Sequence, residues 1–251
     1  MSAVSGVSAQ SNGPVALDPA VARQGTALVL ALDAPPSTGA ITVRMPKGMS
    51  ANTTSRSRLC AKADAARGTC PPESRVGFGR YVMDVAGYLM PGGDTQVTWS
   101  IDAFLARATK HGDTASVVLS SKLLGADSVA MLLAPEIGMS VPATATATGR
   151  LRGRELRLTG VPVHFAVNAP VTATPLRFEL NLSAVRQVRE NFIRTVKVPT
   201  LTGYEVRRIK DHRLVGHYLF RAPQRCTGTW PYELQVGAKR STGRIPCQAG
   251  F

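Results

Sequence analysis

The chain has 251 residues, of which 44% are hydrophobic, 18% charged and 6% aromatic, and thirty Lys and Arg against sixteen Asp and Glu give a formal net charge of +14. That length can bury one large core without dividing, and the composition excludes a disordered chain, a coiled coil and a collagen-like rod. No apolar run approaches the roughly 18 to 20 residues that a membrane-spanning helix needs.

Residues 1–13 are small and polar. They read as a flexible N-terminal segment or a signal remnant. Val7-Ser8-Ala9 suits the small-residue rule of an export cleavage site, although no charged or long apolar run precedes it. The fold is expected over 14–251. Asp18-Pro19 predicts a short helical turn that Gly25 ends. Leu28 to Leu32 is apolar on both faces and predicts a covered, central strand. Ile41, Val43 and Met45 alternate with polar neighbours, as expected of a strand with one face in a core. Thr54 to Arg67 predicts a short helix turning Leu59, Ala63 and Ala66 inward. Gly77-Phe78-Gly79-Arg80 begins like a dinucleotide loop, but it lacks the third Gly and a following helix. It leads instead into a β-like segment from Tyr81 to Leu89.

Alternation returns at Val97, Trp99, Ile101 and Ala103, and Val129 to Leu133 predicts a second covered strand. Leu151-Arg152-Gly153-Arg154-Glu155-Leu156 reads as a tight hairpin with Gly153 in the turn. Val163, Phe165 and Val167 alternate, as do Leu176, Phe178, Leu180 and Leu182. Val185, Val188 and Phe192 have helical spacing across a basic stretch. Trp230, Tyr232, Leu234 and Val236 close the series. Seventeen Pro and twenty-three Gly punctuate these runs at the interval expected of a sandwich or barrel. The reading is an all-β fold: an antiparallel β-sandwich-like single domain of two packed sheets with short helical inserts.

Chemistry-bearing motifs are few. There is no Gly-x-Ser-x-Gly elbow, and His111, His164, His212 and His217 are scattered. Asp102, Asp113, Asp127, Glu136, Glu179 and Glu190 are equally dispersed, which makes a secreted hydrolase the weakest of three functional readings. No catalytic residue, metal site or cofactor is expected.

The charge is more informative. Residues 1–125 carry 12 basic and 8 acidic side chains, and residues 126–251 carry 18 and 8. The surplus concentrates in one stretch, with Arg186, Arg189, Arg194, Lys197, Arg207, Arg208, Lys210 and Arg213 interleaved with Phe192 and Tyr204. Guanidinium groups suit phosphate or carboxylate, so this stretch is the candidate site for an anionic partner, an envelope polymer or a glycan. Nothing there resembles a nucleic-acid motif. Strand alternation puts Arg207 and Arg213 on one side and Arg208 and Lys210 on the other, which divides the patch if the segment is extended.

Four cysteines occur as two close pairs, Cys60 with Cys70 and Cys226 with Cys247. There is no Cys-x-x-Cys and no His at zinc spacing. Of the three possible pairings the sequence-local one is simplest, and paired cysteines point to an oxidising compartment.

Two regions carry a resemblance. The first is Met45-Pro46-Lys47-Gly48-Met49, then Cys60, then Gly68-Thr69-Cys70-Pro71-Pro72-Glu73-Ser74-Arg75-Val76-Gly77. The second is Ala222-Pro223-Gln224-Arg225-Cys226-Thr227-Gly228-Thr229-Trp230, closing at Cys247. In order and spacing they resemble a group of secreted all-β proteins of actinobacteria. The resemblance implies export, an all-β build and two local disulfides, and it transfers no catalytic residue. The leading functional expectation is an exported, non-enzymatic cell-envelope or extracellular protein acting by surface recognition or assembly. The alternative is an extracellular polyanion- or glycan-binding module using 186–213.

Overall fold

The computed structural model describes residues 13–35, 39–86, 96–124, 144–160, 172–200 and 203–250. The expected strands at 129–133 and 163–167, the N-terminal segment 1–12, Asp127, Glu136 and His164 lie outside these residues. The fold is all-β: the described residues form fifteen strands, one six-residue α-helix and two 3-10 turns.

Thirteen strands form one hydrogen-bonded sheet. They are β1 (Val15–Asp18), β2 (Gly25–Asp33), β3 (Ile41–Arg44), β4 (Ser50–Ala51), β5 (Arg75–Ala86), β6 (Gln96–Ala106), β7 (Ala115–Leu123), β8 (Thr144–Arg152), β9 (Glu155–Thr159), β10 (Thr172–Leu182), β13 (Phe220–Arg221), β14 (Thr229–Val236) and β15 (Lys239–Pro246). Their order is β15-β14-β3-β9-β8-β7-β6-β5-β10-β2-β13-β4, with β1 also on β2, and every named pair is antiparallel. The packed layers expected from the sequence are therefore made by one sheet that curls back on itself. Its ends meet where the Ala22 amide donates to the Gln248 carbonyl at 3.0 Å and the Gln248 amide donates to the Ala20 carbonyl at 2.9 Å.

The alternating runs read from the sequence, joined by residues of β2 and β9, supply the main core. Leu28, Leu30, Val43, Trp99, Ile101, Leu156, Leu158, Phe178, Leu180, Trp230 and Leu234 are all buried in it. Tyr81 meets Phe178 edge-on at 6.4 Å between ring centroids. β10 carries Pro175 within an interior strand, and its ladder shifts register between Pro175 and Arg177. A proline cannot donate to the ladder, so it sits where pairing is interrupted. Gly77 and Gly79 are strand residues. A Cβ on either would stand 2.1 Å from a β10 carbonyl oxygen, so glycine is needed for close backbone approach, not for holding a nucleotide.

Both disulfides join the sequence-local partners, Cys60 to Cys70 and Cys226 to Cys247. The first staples the insert between β4 and β5 onto the outer face of the sheet. There Cys60, Phe104, Ala106 and Val118 form a small second cluster, and the Cys60 amide donates to the Leu105 carbonyl at 2.8 Å. The second ties the approach to β14 to the chain leaving β15, beside Trp230, whose indole N–H donates to the Arg225 carbonyl at 2.8 Å.

Three helical expectations are corrected. After Asp18–Pro19 the chain passes through a bridge and a turn into β2, because its backbone groups are claimed by Gln248 and Pro223. The insert 54–67 is not one helix. Only a 3-10 turn (Thr53–Ser55) and α1 (Lys62–Arg67) form, since Cys60 between them is bonded to β6. Gly68 ends α1 at φ 69°. Third, Val185, Val188 and Phe192 lie in a strand, β11 (Val185–Thr200), which pairs along its whole length with β12 (Gly203–Tyr218). The frequent Val, Ile and Thr of β11 favour that extended state.

Replacing Cys226 and Cys247 with Ser is expected to lower the unfolding free energy by about 3 kcal/mol, the loop-closure value for a loop of this order. Denaturant titration checks it, and an unchanged midpoint would contradict a stapling role. Among the described residues the buried Tyr81 hydroxyl has no hydrogen-bond partner. Tyr81→Phe is therefore expected to be neutral or to stabilise by up to about 1 kcal/mol in the same titration.

Candidate functional site: a two-faced ribbon

Each strand of the β11–β12 hairpin has 16 residues, paired in register from Val185 with Tyr218 to Thr200 with Gly203. At the usual rise per residue this ribbon is about 50 Å long. None of its residues belongs to the sheet's core. It leaves the body at a joint. The Leu219 amide donates to the Ala184 carbonyl at 2.9 Å, and Arg56 donates to the Val185 carbonyl at 3.3 Å. Thr54 and His217 hydrogen-bond at 3.2 Å. The Tyr218 ring lies over Gly25, where a Cβ would stand 1.9 Å from it, and it also covers Gly216. An open groove with Arg75 and the exposed Phe78 runs beside this joint.

Residues directly opposite in an antiparallel pair share a face, so the register sorts the ribbon. One face holds Arg186, Arg194, Arg207 and Arg213 together with Glu190, Glu205 and Asp211. Its three acids are all paired, each with an arginine. Arg194 meets Asp211 at 2.9 Å, Arg207 meets Glu205 at 2.8 Å, and Arg213 meets Glu190 at 3.5 Å while lying over the Phe192 ring. The opposite face holds Arg189, Lys197, Arg208 and Lys210 and no acidic residue. Among the described residues none of these four meets a carboxylate, and Arg189 contacts only the imidazole of His212, at 2.9 Å. Every residue of β11 from 185 to 199 on this second face is exposed, whereas most of those on the first are half-buried.

The eight cations expected to form one anion site thus lie on one element but split four and four. The alternation anticipated around Arg207–Arg213 is present. Sequence reasoning missed the apolar members of the acid-free face, Ile193, Val206 and Leu214. They become visible once the two strands are set in register, with Thr200 opposite Gly203.

Most of the described acids outside the ribbon are held in ion pairs with arginines. Arg44 bridges Glu155 at 3.2 Å and Glu233 at 3.3 Å, and Glu233 also takes Arg240 at 2.6 Å. Arg80 holds Glu179 at 2.5 Å, Arg150 holds Asp113 at 2.6 Å, and Arg75 holds Asp102 at 2.7 Å. Hydrogen bonds from Arg240, Arg80 and Arg150 keep the carboxyls of Glu233, Glu179 and Asp113 below the usual carboxylate range. All three are ionised at neutral pH and offer no proton for general acid work. His111 sits in the exposed β6–β7 turn, and His212 and His217 lie on opposite ribbon faces. Among the described residues no three His, Cys, Asp or Glu gather as metal ligands, and no helix is long and apolar enough to cross a membrane. Comparison with family models, with curated proteins and with solved structures gives no match.

Gly25→Ala is expected to displace Tyr218 and loosen the ribbon at its base without unfolding the sheet. Limited proteolysis within 185–218 should then accelerate about tenfold, the loss of about 1.4 kcal/mol of docking. Unchanged cleavage would contradict the joint.

Proposed function

We propose that this is an exported, non-enzymatic envelope or extracellular protein that works by surface recognition, with the β11–β12 ribbon as its recognition element. The observation that carries the reading is a ribbon of 16 residue pairs held clear of the core. A two-stranded hairpin is marginal alone in water, and exposed apolar side chains on one are a liability unless they meet something. The two disulfides support export, since such bonds persist in oxidising compartments. Most of the described carboxylates are tied to arginines, which favours recognition over hydrolysis. Binding to a polyanion or glycan uses the same ribbon and differs only in the partner.

The test removes residues 187–216 and closes the ends with Asn-Gly. The sheet's core contains no ribbon residue, so the shortened chain should keep its disulfides and its cooperative unfolding. The full chain is expected to sediment with purified bacterial envelopes, and the shortened chain to stay in solution. Equal sedimentation of both would overturn the ribbon's role.

A further inference from the structure

We infer that the acid-free face of the ribbon is a docking surface for an anionic lipid membrane, against which the ribbon lies flat. The inference rests on the reading of the ribbon as the recognition element and names its partner. Two independent segregations carry it. The first is of charge: all three acids of the ribbon are on one face, leaving Arg189, Lys197, Arg208 and Lys210 unneutralised on the other. The second is of apolar exposure. Ile193, Tyr204, Val206 and Leu214 are 64%, 74%, 61% and 71% exposed, and all four stand on the acid-free face. Phe192 and Ile209, on the paired face, are 38% and 40% exposed.

Cations interleaved with exposed apolar and aromatic side chains match the headgroup zone of an anionic bilayer. Phosphates take the Lys and Arg there, while the acyl boundary takes Ile, Val, Leu and the tyrosine ring. A linear polyanion would satisfy the four cations and leave Ile193 and Leu214 in water. A second copy of the same face would set four cations against four with no acid between them. Insertion across the bilayer is excluded for a lone ribbon, because both outer edges carry unpaired backbone groups that hydrocarbon cannot satisfy. At the wet interface those groups keep water.

The test is co-sedimentation of the full chain with phosphatidylcholine vesicles, with or without phosphatidylglycerol, at rising salt. Binding is expected only to the anionic vesicles, weakening with salt as surface charge is screened. Each cation near such a surface contributes about fivefold, so Arg189→Gln, Lys197→Gln, Arg208→Gln and Lys210→Gln together should weaken binding about six hundredfold. The charge-matched set Arg186→Gln, Arg194→Gln, Arg207→Gln and Arg213→Gln should retain most of it. Ile193→Ser, Tyr204→Ser, Val206→Ser and Leu214→Ser together should lose the vesicles yet keep any binding to heparin. Circular dichroism confirms that each variant is folded. Equal loss in both charge sets reduces the effect to net charge and overturns the inference. So does binding to heparin without binding to vesicles, which assigns the face to a polymer. If the chain ignores vesicles while the ribbon is still needed for envelope binding, only the membrane partner falls. If the shortened chain binds vesicles as well as the full chain, the recognition reading falls with it.

Discussion

Nearly every strand of the sheet sends alternate side chains into one core, and the two ends of that sheet are bonded to each other between Ala20–Ala22 and Gln248. That one-sided burial governs the rest of the molecule. It makes the sheet self-sufficient, with Trp99, Tyr81, Phe178 and Phe220 at its centre. It also turns the polar side chains outward, where arginines pair with acids across neighbouring strands: Arg44 of β3 with Glu155 of β9 and Glu233 of β14, and Arg80 of β5 with Glu179 of β10. Such exposed pairs add little stability individually, but they neutralise the outer face.

A body that seals its own core can carry an element that seals nothing. The ribbon spends its side chains on two exposed faces, and these are chemically different. One pairs all of its acids with arginines. The other presents cations beside apolar groups. The contrast comes from parity: Glu190 occupies an even position of β11, while Glu205 and Asp211 occupy odd positions of β12, and the register brings these onto the same side. A one-residue slip would carry the acids of β12 to the cationic face, so the register that sets Thr200 opposite Gly203 fixes the chemistry of the whole arm.

The body was legible in the sequence for a definite reason. Period-two alternation is informative when one face of a strand is buried, and Val97–Ala103, Leu176–Leu182 and Trp230–Val236 all satisfy that condition. The cysteine pairing was legible from spacing and from the resemblance together. The ribbon was not, because a strand exposed on both faces has no inside to mark. Val185, Val188 and Phe192 then satisfied a helical spacing by coincidence, and β12 showed no apolar stripe. The basic residues were found, but their division into faces depends on which residue of β11 opposes which residue of β12. Composition carries no trace of that register. The helical turn expected at Asp18 failed for a related reason: its backbone partners lie at the far end of the chain.

The independence of ribbon and body is the central claim, and native-state hydrogen exchange measures it directly. Amides of β2, β6, β7 and β10 should exchange only through global unfolding, while those of 188–198 and 205–215 should exchange through a local opening of much lower free energy. Exchange of the ribbon at the rate of the core strands, under every denaturant concentration below the transition, would show that arm and body are one cooperative unit and contradict the account.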